Sequence, residues 1–150
     1  MKIEDFKAKK CSKIIALKDK GNNKSKIFLN ANNEIFYLVE FDKVCDQSHG
    51  QRCDVVLYKN DKNVVLFAEL KGKKFSKAIE QILNSNELLK NSFSNSDKYA
   101  AISHSGLPKS ITAEQDEKIK FKKKYGFKEL FPSSRQLKLS YEDGKIIKSG

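Results

Sequence analysis

The chain has 150 residues, enough for one domain with a buried core. Its hydrophobic content of 39%, with ten Phe and five Tyr, excludes a disordered chain, and its seven Gly and two Pro exclude a collagen-like one. Thirty basic residues against nineteen acidic ones give a formal net charge of +11, which favours nucleic acid or an anionic membrane surface as a partner. All the basic residues except Arg52 and Arg135 are Lys, and Lys suits sequence-independent phosphate contact better than base reading.

Cysteine usage and the N-terminus predict a cellular compartment. Cys11, Cys45 and Cys53 are an odd number without a CxxC pair, so neither a disulfide framework nor a zinc site is indicated. The N-terminus is charged from its second residue, and no apolar stretch has the length of a membrane span. We therefore expect a cytoplasmic protein without a membrane partner. Nothing in the composition divides the chain, which predicts a single domain over residues 1–150.

The first third of the chain predicts strands. The first dozen residues show weak helical periodicity, with Ile3 and Phe6 on one side, which indicates at most a short helix. Three apolar runs follow, separated by turns rich in Gly and Asn. They predict a meander of antiparallel strands at residues 14–17, 27–29 and 35–41.

The middle and the end of the chain predict a mixture of strands and helices. Residues 53–58 and 64–70 are largely apolar and β-branched, and they flank the polar stretch 59–63, which predicts a β-hairpin. Apolar residues at helical spacing then predict a helix from about 74 to 90. A strand at 99–102, a second helix that stops near Gly126, and a hairpin of residues 137–141 and 145–147 complete the chain. The fold class is therefore α/β in the broad sense, an α+β mixed sheet whose central hairpin is followed by a helix.

The predicted central hairpin brings charged residues together. With its turn centred on Asp61 and Lys62, Asp54 lies directly opposite Glu69, with Cβ atoms about 4.5–5.5 Å apart. Two carboxylates at that distance repel each other unless a hard divalent cation such as Mg²⁺ lies between them. Strand alternation puts Lys71 on the face of Glu69, where its ammonium group can orient a water molecule or stabilise charge on a phosphate.

The remainder of the hairpin is apolar on both faces, as in strands that are buried on both sides. Unpaired charges at the end of such a hairpin are costly and therefore need a reason. The alternative to a metal site is a salt-bridged strand end, in which Glu69 pairs with Lys71 or with Arg52, the residue opposite Lys71.

These residues resemble the motif of the PD-(D/E)xK, or restriction-endonuclease-like, nuclease superfamily. Asp54, fourteen intervening residues, Glu69-Leu70-Lys71 and a following helix carry the resemblance, which covers about residues 35–102. Cys53 stands where the motif has Pro. The resemblance implies that Asp54 and Glu69 bind the metal and that Lys71 assists the water attacking the phosphodiester, so that all three are catalytic residues. Gln81 is similar to a Gln that some members place beyond the Lys.

The function that this resemblance implies is a divalent-metal-dependent endonuclease that hydrolyses nucleic acid, with DNA as the expected substrate. Mg²⁺ is the implied cofactor, and Mn²⁺ its expected substitute. Many members contribute a further acid from upstream, and Glu4, Glu34 and Glu40 are all candidates. Sequence specificity is expected to come from loops, a homodimer or a partner protein, because a chain of 150 residues leaves little room for a recognition domain.

Two other classes of function stay open. The fold can serve as a catalytically inactive binding module for nucleic acid or protein, or as a basic protein-interaction domain. Candidate nucleic-acid contacts lie around the proposed site at Arg52, Lys73, Lys74 and Lys77. A second Lys-rich segment at 118–128 carries Phe121, Tyr125 and Phe127, whose rings are expected in the core. His49 and His104 are expected to be incidental.

Overall fold

Ten strands and three helices make up the described part of the chain in the computed structural model, which covers residues 1–18, 27–72, 74–104, 111–134 and 136–149. The side chains of residues 71, 72, 104, 111 and 112 lie outside this description. The strands are β1 (Lys9–Cys11), β2 (Ile14–Leu17), β3 (Ile27–Asn30), β4 (Phe36–Val39), β5 (Val55–Lys59), β6 (Val64–Gly72), β7 (Asp97–His104), β8 (Glu129–Ser133), β9 (Leu137–Glu142) and β10 (Lys145–Lys148). The helices are α1 (Phe41–Val44), α2 (Phe75–Leu88) and α3 (Ile111–Lys123).

The larger of two sheets has six strands in the order β1-β4-β5-β6-β7-β8. Its first four strands are antiparallel neighbours, whereas β6, β7 and β8 run parallel. Parallel neighbours need a crossover connection, which α2 and α3 supply. The carboxyl ends of β6, β7 and β8 therefore meet at one edge of the sheet. The predicted α+β class with a mixed sheet is confirmed.

The smaller sheet has four strands in the order β10-β9-β3-β2, in which β3 and β9 are parallel. Its β9–β10 hairpin turns through Asp143 and Gly144, whose φ angles of 52° and 79° fit a type I′ turn. This hairpin confirms the prediction for the end of the chain.

The helices cover one face of the larger sheet and the smaller sheet covers the other, which gives the fold three layers. Val56 and Phe67 face the helices, where they belong to one core cluster with Ala78 and Ile82 of α2 and Phe121 of α3. The opposite side chains of β5 and β6, Leu57 and Leu66 among them, pack between the sheets against Leu29 and Leu139. The prediction that the hairpin is apolar because it is covered on both sides is confirmed.

The predicted meander is wrong in its third strand. Strands β2 and β3 pair antiparallel as predicted, but β4 joins the larger sheet between β1 and β5. Asn32 and Asn33 turn the chain at positive φ angles of 51° and 68°. Phe36 packs between the sheets and Val39 faces the helices. A strand with buried side chains on both faces needs a place in the layer that is covered on both sides.

Two shorter segments also differ from the prediction. The N-terminus forms a single 3-10 turn, Ile3–Asp5, followed by β1, and no α-helix lies in that segment of the described chain. Strand β8, which contains Pro132, is an element that the sequence analysis does not predict. The structure places β8 at the edge of the sheet, where Pro is tolerated because its missing N–H interrupts no central ladder.

Candidate active site

The β5–β6 hairpin has the predicted register. Val55 lies opposite Ala68 and Val56 opposite Phe67, so the same register puts Asp54 opposite Glu69, one residue beyond the paired segment. The turn is closed by a hydrogen bond from the N–H of Lys62 to the carbonyl of Lys59, at 2.8 Å.

Asp54 is half-buried and is held by the opposite strand. The backbone N–H of Leu70 donates a hydrogen bond of 2.7 Å to Asp54 Oδ2. The Asp54 and Glu69 side chains interact, since hydrogen bonding with Asp54 and its negative charge both raise the pKa of Glu69. The two carboxyl groups therefore lie against each other, as the hairpin register predicts.

Glu69 is almost fully buried, with 3% of its surface exposed, on the face of β6 that carries Phe67 toward the helices. Burial raises its pKa well above the usual range, and the hydrogen bond and negative charge of Asp54 raise it further. Glu69 Oε2 is buried without a hydrogen-bond partner among the described residues. The structure thus disfavours negative charge on both carboxyl groups at once, and it leaves Glu69 Oε2 without a hydrogen bond among the described residues.

Lys71 lies in β6, two residues beyond Glu69. The pairing of β6 with β7 shifts register between Glu69 and Gly72, and such an irregularity changes the direction of the following side chain. Because the side chain of Lys71 lies outside the described part of the structure, its position beside the carboxyl pair stays a prediction.

Helix α2 holds the loop that leads into Asp54. Ser85 Oγ accepts a hydrogen bond of 2.8 Å from the N–H of Cys53 and donates one of 2.8 Å to the carbonyl of Gln81. Asn84 donates through Nδ2 to the carbonyls of His49 and Gln51. A Pro at position 53 could not make this contact, because it has no N–H to donate to Ser85.

Asp42 is the acidic residue that sequence reasoning missed. It lies in α1, where its N–H is 3.5 Å from the carbonyl of Asp54, and its charge adds to the rise in the Glu69 pKa. Its carboxylate forms an ion pair of 3.0 Å with Arg52. Position and spacing in the sequence carry no sign of this pairing, because α1 has only four residues and no periodicity.

Arg52 is not an exposed phosphate contact in this structure. Its side chain is 6% exposed, and its guanidinium group donates to Asp42 and to the carbonyl of Gly50. Its Nε is buried and lacks a partner among the described residues. Arg52 also precedes the paired part of β5, so the hydrogen-bonded ladder of the hairpin does not reach the predicted pair of Arg52 and Lys71.

The three upstream acids of the prediction all form ion pairs with Lys residues. Glu4 pairs with Lys62 and Glu34 with Lys59, at the turn end of the hairpin and away from Asp54. Glu40 follows the end of β4 that lies beside the start of β5, next to Asp54, but it pairs with Lys43 at 3.3 Å. It lines a groove with Leu38, whose side chain packs on the face opposite to Glu69. The structure therefore brings none of these three to the carboxyl pair.

The other predicted contacts lie on the surface or outside the described residues. Lys74 and Lys77 are exposed at the start of α2, which follows β6. Lys73 lies outside the described residues, as does the side chain of His104. Phe121 and Phe127 are buried, which confirms the prediction that these rings are core. His49 is exposed, and its carbonyl accepts a hydrogen bond from Asn84 of α2.

Searches of protein-family models, curated proteins and solved structures found no match for this chain. Among the described residues, no group of three or more His, Cys, Asp or Glu side chains could hold a metal ion. No helix in the same part of the chain is long and apolar enough to cross a membrane.

Proposed function

We propose that the protein is a divalent-metal-dependent endonuclease that hydrolyses phosphodiester bonds of nucleic acid, with DNA as its substrate. The observation that carries the proposal is the contact between the carboxyl groups of Asp54 and Glu69. A fold gains no stability from two adjacent carboxyl groups, one of them buried, whereas a nuclease needs them.

The two residues fit a hard cation. Glu69 Oε2 is buried and unpartnered among the described residues, and Asp54 already contacts Glu69, so both can supply oxygen ligands to one Mg²⁺. When bound, Mg²⁺ or Mn²⁺ supplies charge stabilisation at a phosphoryl oxygen and lowers the pKa of water. The pair leaves the remaining coordination positions to water and substrate, as is usual for Mg²⁺ in enzymes that act on phosphates.

The arrangement of elements supports a restriction-endonuclease-like core. Strands β4, β5 and β6 are antiparallel neighbours, α2 follows β6, and β7 returns parallel to β6. This strand–hairpin–helix–strand unit carries Asp54 and Glu69 at the end of its hairpin. The same order is what the sequence resemblance implies.

The residues of the chain would share the work of catalysis. Asp54 and Glu69 would hold the cation, and the Leu70 N–H would keep Asp54 in place. Lys71 would orient the attacking water or stabilise the negative charge of the phosphate. The exposed Lys74 and Lys77 at the start of α2 would contact the backbone of the substrate.

A second candidate is a nuclease-like fold that binds nucleic acid or protein without catalysis. One observation favours it: Asp42, whose charge acts on Glu69, is neutralised by Arg52, while Glu4, Glu34 and Glu40 pair with Lys residues. Calorimetric titration with Mn²⁺ separates the two candidates, since a binding module needs no Mn²⁺ site that depends on Glu69.

Plasmid cleavage tests the proposed activity. We expect the wild type to nick or cut plasmid DNA with Mg²⁺ or Mn²⁺ and to be inactive in EDTA. Asp54→Ala and Lys71→Ala should each lower the rate by at least about 100-fold, because cation binding and charge stabilisation act in the transition state.

Two exposed residues at the end of α2 supply matched controls. Glu87→Ala and Lys90→Ala remove the same charges from a surface ion pair and should cleave at the wild-type rate. Equal activity in Asp54→Ala and the wild type would contradict the proposal.

A further inference from the structure

A groove of about 570 Å³ lies between the larger and the smaller sheet at their open edges. Strand β8 ends one sheet and β10 ends the other, and residues of both line the groove. It is far from the carboxyl pair. Tyr99 on its floor belongs to the core cluster between the sheets, whereas Glu69 faces the helices. The groove also lies near the start of β7, about 17 Å along the sheet from the level of Glu69.

An aromatic ring forms part of the groove. Phe131 is half-buried and stacks on the buried Tyr99, with ring planes at 10° and centroids 6.4 Å apart. Ile147 of β10, 41% exposed, adds apolar surface on the other side. A half-buried aromatic ring beside aliphatic surface suits an unpaired base, because every base has a π face that can stack.

The rim of the groove is basic. Lys128, Lys145 and Lys148 line it together with two acids, Asp97 and Glu129. Both acids have cationic partners, since Lys128 lies 4.0 Å from Asp97 and Lys122 lies 3.2 Å from Glu129.

Two of the rim cations remain available. Lys145 and Lys148 are exposed and form no ion pair with any described residue. The basic end of α3, which includes Lys120, Lys122 and Lys123, leads to Lys128 along the chain. The groove and its surroundings therefore offer cations spaced along an apolar floor, which complements a phosphodiester backbone.

The edge of β10 does not favour an added β-strand. The Lys residues at both ends of the strand, Lys145 and Lys148, are typical of edges that are protected from pairing with another strand.

We propose that this groove binds a segment of single-stranded nucleic acid, with phosphates on Lys128, Lys145 and Lys148 and a base stacked against Phe131. The site is separate from the proposed active site and does not rest on it.

Binding of a fluorescent fifteen-nucleotide oligo-dT, measured by anisotropy in EDTA over a range of salt concentrations, tests this proposal. The double variant Lys145→Ala/Lys148→Ala should bind several-fold more weakly and should lower the slope of log affinity against log salt by about 1.4, since each phosphate contact contributes about 0.7. Phe131→Leu, which keeps an apolar side chain, should weaken binding about tenfold without changing this slope.

Lys9→Ala/Lys10→Ala is the matched control, because these exposed Lys residues lie on β1 at the opposite edge of the larger sheet. It should bind like the wild type. The proposal is overturned if the Lys145/Lys148 variant binds as tightly as the wild type, or if the control loses as much affinity. An acidic peptide serves as a second probe. The proposal is also overturned if the groove variants weaken the binding of this peptide but leave the binding of oligo-dT unchanged.

Discussion

At Glu69, the buried carboxyl group makes the stability of the fold depend on pH. Its pKa is raised in the folded state, chiefly by burial and then by Asp54. Below about pH 4 the group is protonated in both the folded and the unfolded chain, so it has little effect on stability. As the pH rises, the unfolded chain loses this proton before the folded chain does. The free energy of unfolding therefore falls with rising pH, because folding then requires the uptake of a proton.

We therefore expect Glu69→Gln to stabilise the metal-free protein at pH 7.5 by on the order of 2 kcal/mol and to have little effect at pH 4. The amide keeps a donor for Asp54 and does not titrate, so folding no longer requires the uptake of a proton. Urea unfolding in EDTA at the two pH values measures the difference, with Glu87→Gln on the exposed face of α2 as control. A less stable Gln variant at pH 7.5 would contradict this explanation.

At the scale of elements, the site depends on how α2 holds a loop as much as on the hairpin. The loop before Asp54 contacts α2 through Asn84 and Ser85, and Gly50 within it has a φ of 86°. Glycine tolerates this left-handed conformation, whereas another residue would be strained. Helix α2 therefore fixes the position of this loop, and with it the position in which Asp54 faces Glu69.

Ser85→Ala should remove this support. It leaves the buried N–H of Cys53 without its acceptor and should lower the free energy of unfolding by about 1–3 kcal/mol. The affinity for Mn²⁺ in calorimetry should fall as well, because Asp54 loses its fixed position. Ser76→Ala, at an exposed position of the same helix, is the control and should change neither quantity. A Ser85→Ala protein as stable as the wild type would show that the loop holds Asp54 without α2.

At the scale of the whole molecule, the central sheet joins two core clusters. One lies between the helices and the larger sheet, the other between the two sheets, and β5 and β6 contribute side chains to both. Since neither cluster can lose its packing without disturbing the shared strands, we expect the chain to unfold as one unit.

Thermal and urea unfolding should therefore show one transition that coincides in far-ultraviolet circular dichroism and Tyr fluorescence. Phe67→Ala in the helix-side cluster should lower the free energy of unfolding by about 3–5 kcal/mol, and Leu139→Ala in the other cluster by about 2–5 kcal/mol. Ile14→Ala, at a side chain that is 69% exposed, should change it by no more than about 0.5 kcal/mol. Separate transitions, each shifted by one core variant alone, would show two independent units.

Local sequence patterns were enough to predict the elements whose structure depends only on residues close to them in the chain. The β5–β6 hairpin follows from two apolar runs around a polar turn, and α2 from its helical spacing. The register of the hairpin then places Asp54 against Glu69, because opposite residues in a two-stranded ladder are determined by the turn between them. The resemblance to a nuclease motif rests on those same residues.

Tertiary structure alone decided what depends on distant residues. The choice of β4 for the larger sheet follows from burial on both of its faces, and the place of β8 at the edge admits Pro132. The Arg52–Asp42 ion pair and the contact of Cys53 with Ser85 join segments whose approach no local pattern encodes. The sequence by itself thus determined which carboxyl groups meet, since that contact is local to one hairpin. Only the packed fold determined what surrounds them, because those neighbours are set by long-range burial.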